Sequence, residues 1–286
     1  MKKAAIKIAI VGHGFVGKAT DWGFNKNVEK FIVDPIHKTT TQDLQDFQPA
    51  FVFVCVPTPM GSDGYQDSEI IKSVVVDLEK FVPDSIVIVK STVLPSILEE
   101  LILLNKNLIY NPEFLREKHA NYDFENSEMI IFGGDRNLST KASNLYRDHS
   151  RCINQEYIYV DLLSASLIKY SINTFLASKV IFFNELYQIF NNLGTNDSWE
   201  KIVSTISLDS RIGNSHMDVP GHDGRFGFGG ACFPKDSMAL AKYAKEINSS
   251  LSVLEAAIVK NNEIRSKYSE LDQREKDQNV FFDGKI

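Results

Sequence analysis

Up to about residue 160 the chain alternates short β-branched runs with amphipathic stretches, and beyond that point the strands stop. Such alternation builds a parallel sheet covered by helices, because each parallel strand needs a crossover before the next can form. Strands are expected at 5–11, 30–34, 51–56, 85–90, 107–110, 129–132 and 157–160, with helices at 15–25, 68–81, 96–104 and 138–150. The remainder reads as helix. Residues 162–193 contain no proline or glycine, and 198–208, 237–247 and 251–270 follow, with an irregular segment at 213–230.

The first turn of this pattern carries a chemical signal. "IAIVGHGFVG" sets Gly12, Gly14 and Gly17 in a G-x-G-x-x-G spacing between strand and helix. The first glycine allows the turn, the second lets a pyrophosphate near the backbone, and the third lets helix pack on strand. Phe15 and Val16 then open the helix whose N-terminal NH groups face the anion. Asp34 stands twenty residues beyond Gly14, at the end of the next strand. A carboxylate there binds the adenosine ribose hydroxyls and repels a 2′-phosphate, so NAD is the expected cofactor rather than NADP. Thr58, in "FVCVPTP", and Ser91 and Thr92, in "KSTVLP", follow apolar strands at the edge where such sheets bind ligands. The plainer alternative is strand-end turn chemistry. The fold class is therefore α/β: a Rossmann-type parallel-sheet domain over 1–160, then an all-helical domain over 161–274 and a tail at 275–286.

Composition narrows the function. A net charge of −6 argues against nucleic-acid binding, which needs a basic face. Three cysteines without paired spacing suit a reducing compartment, and the expected location is cytoplasmic. "MKKAAIKIAIVG" has the basic start of a signal peptide but runs into the glycine loop without a cleavage pattern, so it is read as a first strand. No apolar run approaches the roughly 18 residues of a membrane span. His216, Asp218, His222 and Asp223 match no metal-ligand spacing, and no metal is expected.

The segment "FGFGGACFPKD" (226–236) gives up packing surface beside a thiol, a cation and a carboxylate. Cys232 has the chemistry of a covalent nucleophile, and a neighbouring cation such as Lys235 favours its thiolate. The glycines leave room for ligands at the backbone. Cys55 and Cys152 read as buried structural cysteines. Lys169 and Asn173, four apart on a helix, share a face and could together stabilise an oxyanion. Asp236 could act through water as a general base.

Together with "NPEFLRE" (111–117), "KYSINTFLASKVIFFNE" (169–185) and "DSRIGNSH" (209–216), this segment resembles the UDP-glucose/GDP-mannose dehydrogenase family, from Ile6 to about Tyr268. The resemblance implies oxidation of a nucleotide-sugar primary alcohol to a carboxylate, as in UDP-glucose to UDP-glucuronate, by two NAD-dependent steps through a Cys232 thiohemiacetal and thioester. It implies Glu113 as a second acid/base, with Thr92 positioning water, and Phe114, Leu115 and Arg116 along the substrate. Glu117 and Lys235 fall on the nicotinamide side. Arg211 reaches substrate, often across a dimer, and Phe226, Gly227, Phe228 and Gly229 line the sugar beside Lys169 and Asn173. The 251–270 helix corresponds to the family's dimer helix, implying a homodimer. The family's third domain, which grips the nucleotide, has no counterpart in these motifs, so a separate C-terminal chain is a further expected partner. Two alternatives stay open. One is a 3-hydroxyisobutyrate-type dehydrogenase making one hydride transfer; the other is a non-catalytic or split-enzyme subunit.

Overall fold

Apolar β-branched runs, buried in the central strands and part-exposed in the two edge strands, form the seven-stranded sheet of this computed structural model, which describes residues 4–283. The strands are β1 (Ile6–Val11), β2 (Val28–Val33), β3 (Phe51–Val54), β4 (Ile86–Val89), β5 (Leu108–Tyr110), β6 (Ile130–Gly133) and β7 (Tyr157–Val160), in the order β2-β1-β3-β4-β5-β6-β7. The chain divides into two compact units, Met1–Thr58 with Asp67–Lys169, and Pro59–Gln66 with Tyr170–Ile286. The sheet lies wholly in the first.

All neighbouring strands run parallel except β5 and β6, which pair antiparallel through Tyr110 and Gly133. The Rossmann-type parallel sheet expected from the sequence is thus present, with one antiparallel neighbour pair. The connection between those strands carries one six-residue helix, α5 (Ala120–Glu125), which packs on α1 (Phe15–Gly23). Without a crossover, the chain re-enters the sheet at the edge it has just left. The other helices of this unit are α2 (Leu44–Phe47), α3 (Glu69–Phe81), α4 (Pro95–Leu104) and α6 (Arg136–His149). Asp135 caps α6 by accepting from the backbone NH groups of Asn137 and Leu138, a contact worth about 1 kcal/mol. Phe24, Phe53 and Phe132 pack edge to face on Tyr146 of α6 in the core.

The second part is helical, as its pattern indicates: α7 (Leu162–Asn192), α8 (Trp199–Ile206), α9 (Phe233–Glu246), α10 (Ser252–Arg265) and α11 (Gln273–Asp277). The division between units falls within α7, whose first turns belong with the sheet: Ala165 abuts Gly133, and Ser166 donates to the carbonyl of Val93. Helix α9 begins four residues before the expected start, with Cys232 as its N-cap and Pro234 in its first turn. A proline there loses no hydrogen bond and has the right φ. Helix α10 ends five residues early, and α11 lies where a plain tail was expected. Among the described residues, no helix is long and apolar enough to cross a membrane.

Candidate active-site residues

In the first unit, the glycine loop has the form that a dinucleotide requires. Gly12 sits at φ +89°, and a Cβ there would lie 2.7 Å from the Cys55 carbonyl oxygen; one on Gly17 would lie 2.0 Å from the Gly12 oxygen. Neither position admits a side chain. Gly14 differs: it is the N-cap of α1, and nothing lies within 4 Å of where its Cβ would be. Helix α1 has no acidic residue in its first turn, so its N-terminal end at Phe15 and Val16 keeps its positive character. Asp34 accepts from the backbone NH of His13 at 2.7 Å and of Ile36 at 2.9 Å. Burial pushes this carboxyl up, but the two NH groups, with His13 and His37 beside them, outweigh it and hold the group below its ordinary value. Open space at a helix N-terminus and a charged Asp34 fit NAD.

The strand-end hydroxyls are buried struts. Thr58 Oγ1 donates to the carbonyl of Thr92 at 2.9 Å, and Ser91 Oγ donates to that of Val56 at 2.6 Å. These bonds tie the loop after β3 to the loop after β4. Thr92 is itself buried.

The 111–117 segment meets the start of α7. Lys169, 3% exposed, donates from Nζ to the Glu113 carbonyl at 2.5 Å and reaches Glu113 Oε1 at 3.4 Å. Its ammonium lies 5.1 Å from the centre of the Phe114 ring. Glu113 Oε2 accepts from the NH of Leu115, whose side chain packs on the sheet core. Arg116 is exposed and forms a two-pronged pair with Asp123; Glu117 opens a 3-10 turn. Sequence reasoning missed Lys90. This buried cation donates to Asn111 Oδ1 at 2.9 Å and to the Tyr146 hydroxyl at 3.2 Å, fixing the residue two before Glu113. The signal was present in "KSTVLP" and "NPEFLRE", but only the fold brings those motifs together.

The second unit gathers the other set. Cys232 caps α9, and the next turn holds Lys235 and Asp236, both buried. Lys235 Nζ donates to Asp236 Oδ1 at 2.6 Å, and Asn173 Nδ2 donates to Asp236 Oδ2 at 2.7 Å. Lys169 and Asn173 stand one turn apart on α7 but have different carboxylate partners, Glu113 for the lysine and Asp236 for the amide. Arg211 is exposed and bound by Asp209. In the 226–230 run, Phe226 packs against Tyr187, while Phe228 is buried with Ala177, Ile181 and Ala257. The backbone is pinned throughout: Gly227 NH donates to Asn184 Oδ1, and Phe228 exchanges two bonds with the Asn261 amide. A Cβ on Gly227 would lie 2.5 Å from Asn261 Oδ1, and one on Gly229 would lie 2.4 Å from Glu275 Oε1. Those two glycines face protein. Gly230 has nothing within 4 Å of its would-be Cβ.

Residues 28–150 match the NAD binding domain of the UDP-glucose/GDP-mannose dehydrogenase family, and residues 163–263 match its central domain. The UDP-glucose 6-dehydrogenase of Campylobacter jejuni is 31% identical, over 92% of this chain and 73% of its own length. The UDP-glucose 6-dehydrogenase TuaD of Bacillus subtilis is 31% identical, over 83% of this chain and 52% of its own. This chain spans about half the length of several curated relatives it matches. Among solved structures, a UDP-glucose dehydrogenase from the hyperthermophilic archaeon Pyrobaculum islandicum superposes with a TM-score of 0.77 at 23% identity, covering 92% of this chain and 69% of that one. That likeness is one of fold.

Proposed function

The chain belongs to the UDP-glucose/GDP-mannose dehydrogenase family, and from that premise we propose that it oxidises the primary alcohol of a nucleotide sugar to a carboxylate, with Cys232 as the covalent nucleophile. The observation that carries this reading is the position of Cys232 at the start of α9, one turn before the buried Lys235–Asp236–Asn173 chain of hydrogen bonds. The N-terminal end of a helix favours a negative charge, which suits a thiolate and an anionic intermediate.

NAD, held by Gly12, Gly14, Phe15, Val16, Gly17 and Asp34, would accept a hydride at each of two oxidations when bound. The remaining chemistry falls to side chains. The Cys232 thiolate adds to the aldehyde carbon and retains it as a thiohemiacetal; after the second oxidation the carbon is a thioester. Water then attacks the thioester, the carbon–sulfur bond breaks, and carboxylate and thiolate are released. Asp236, held ready by Lys235 and Asn173, takes the proton of that water. Lys169 donates to the oxygen that becomes negative, assisted by the Asn173 amide. Glu113, already bonded to Lys169, orients its ammonium and exchanges protons with it. The exposed Arg211 would serve the substrate of a second copy in a homodimer.

Cys232 separates this reading from a one-hydride hydroxy-acid dehydrogenase, which has no use for a thiol. NADH release across a panel of nucleotide sugars and small hydroxy acids tests it. The expected result is two NADH per nucleotide sugar, with a uronate as product. One NADH per hydroxy acid, and none with any nucleotide sugar, would overturn it.

A further inference from the structure

Residues 264–282 lie beyond the segment matched to the family's central domain, yet they reach back to the glycine run before Cys232. Glu275 is 0% exposed and Arg265 3%. Glu275 Oε1 accepts from the NH of Gly230 at 3.2 Å and lies 3.9 Å from Arg265 Nη1. Its Oε2 accepts from the NH of Asp272 at 2.8 Å, closing the capping box that starts α11, and lies 4.0 Å from Arg225. Arg265 Nη2 donates to Asp223 at 2.8 Å and to the carbonyl of Gly227 at 3.0 Å. The two arginines and two carboxylates balance in charge, and both ends of the 227–230 run are bonded to them. The segment 272–282, a strap across the glycine run, is anchored apart from this network: the carbonyl of Gln278 accepts from the NH of Met60, and Val280 and Phe282 are buried.

We propose that Glu275 and Arg265 are positioning residues for Cys232: the strap at 272–282 sets the backbone of 227–230, and through it the place of the thiol at the start of α9. The inference rests on the nucleophile reading above. It explains why Gly229 must be glycine, since a Cβ there would lie 2.4 Å from Glu275 Oε1 and 2.7 Å from Arg265 Cζ. Glutamine at 275 cannot replace the carboxylate, because its amide NH₂ would face either the Gly230 or the Asp272 donor. A buried ion pair that loses one partner leaves the other charge uncompensated.

The test measures the thiol and the backbone directly in the full chain carrying Glu275→Gln. Hydrogen exchange at Gly230 should quicken by about tenfold or more as its amide loses its fixed acceptor, and exchange over the rest of 226–232 should rise by less as the run loosens. Iodoacetamide labelling of Cys232, resolved by peptide mass, should rise by about threefold as the segment loosens. Cys55 and Cys152 should keep their rates, and calorimetric NAD affinity should not change. Burial pushes both of those thiols up, Cys55 to about 12, so neither competes at pH 8. If Glu275→Gln fails to fold, Asp272→Ala loosens only the cap that presents Glu275 and should give the same changes at smaller size. A folded Glu275→Gln with wild-type exchange and labelling would overturn the proposal, as would a silent Asp272→Ala in that second case. Turnover adds a separate reading: kcat with a nucleotide sugar should fall while the KM for NAD holds. A wild type that oxidises no nucleotide sugar refutes the nucleophile reading alone, because exchange and labelling still decide whether the strap positions the thiol.

Discussion

Two glycine-rich turns each introduce a helix in this protein, and they use glycine for different reasons. In the 12–17 loop, Gly12 and Gly17 press on neighbouring backbone while Gly14 opens onto empty space. In the 227–230 run, Gly227 and Gly229 press on the buried side chains of Asn261, Arg265 and Glu275, and Gly230 faces open space. The first turn is shaped by main chain, that of Cys55 just past β3 against Gly12 and that of Gly12 against Gly17. The second is shaped by polar side chains more than thirty residues away in sequence. A glycine motif therefore marks a close approach, but not to what.

The largest effect should come from the helix start that the second turn introduces. Cys232→Ser should cut formation of the carboxylate by at least about a thousandfold, since the covalent holding step is lost. Calorimetry should show NAD binding unchanged. Lys169→Ala should follow, lowering turnover about 100- to 1,000-fold with little change in substrate affinity; equal losses in both would reduce the lysine to a binding group.

A crossed pair of substitutions then tests the comparison itself. Gly229→Ala forces a Cβ onto buried Glu275 and Arg265 and should cost about 3 kcal/mol, with NAD affinity intact. Gly14→Ala meets no atom within 4 Å; it should cost within about 1 kcal/mol of stability but weaken NAD binding about tenfold. Thermal melts paired with NAD titrations read both. If the two variants behave alike, the distinction between the turns fails.

The smallest effect concerns Asp34. Asp34→Ala should narrow the preference for NAD over NADP by about tenfold, measured by titrating each cofactor. Because the folded carboxyl is held below its ordinary value near 3.9, it stays charged at pH 5. The affinity for NAD, which has no phosphate monoester to titrate, should therefore be nearly the same at pH 5 and pH 8; a collapse at pH 5 would remove Asp34 from the adenosine end.

Local features of the chain are legible in its sequence, and distant pairings are not. Strand–turn–helix spacing is local, so the order of residues alone picks out Gly12, Gly14, Gly17 and Asp34. The four family motifs likewise single out Cys232, Lys169, Asn173, Glu113 and Asp236. Their partners stay hidden: the i, i+4 spacing suggests that Lys169 and Asn173 share a target, yet in the fold they bond to Glu113 and Asp236 respectively. The start of α9 is obscured because Gly-Gly-Ala-Cys-Phe-Pro reads as loop, although Pro234 is a helix-start signal. Glu275 looks like one more charge in a polar stretch, and only tertiary contact with Gly230 and Arg265 gives it a role. Likewise the antiparallel β5–β6 pair leaves no trace in hydrophobic alternation, which is blind to strand direction.

Whether Cys232 carries the substrate carbon is read directly by peptide mass analysis of acid-quenched enzyme. Wild type and Asp236→Asn would each be mixed with NAD and the nucleotide sugar found active in the panel. The expected result is a sugar adduct on the peptide containing Cys232, dependent on NAD and more abundant in Asp236→Asn, where hydrolysis of the thioester is slowed. NADH formed by the wild type with no adduct on Cys232 in either protein would contradict it.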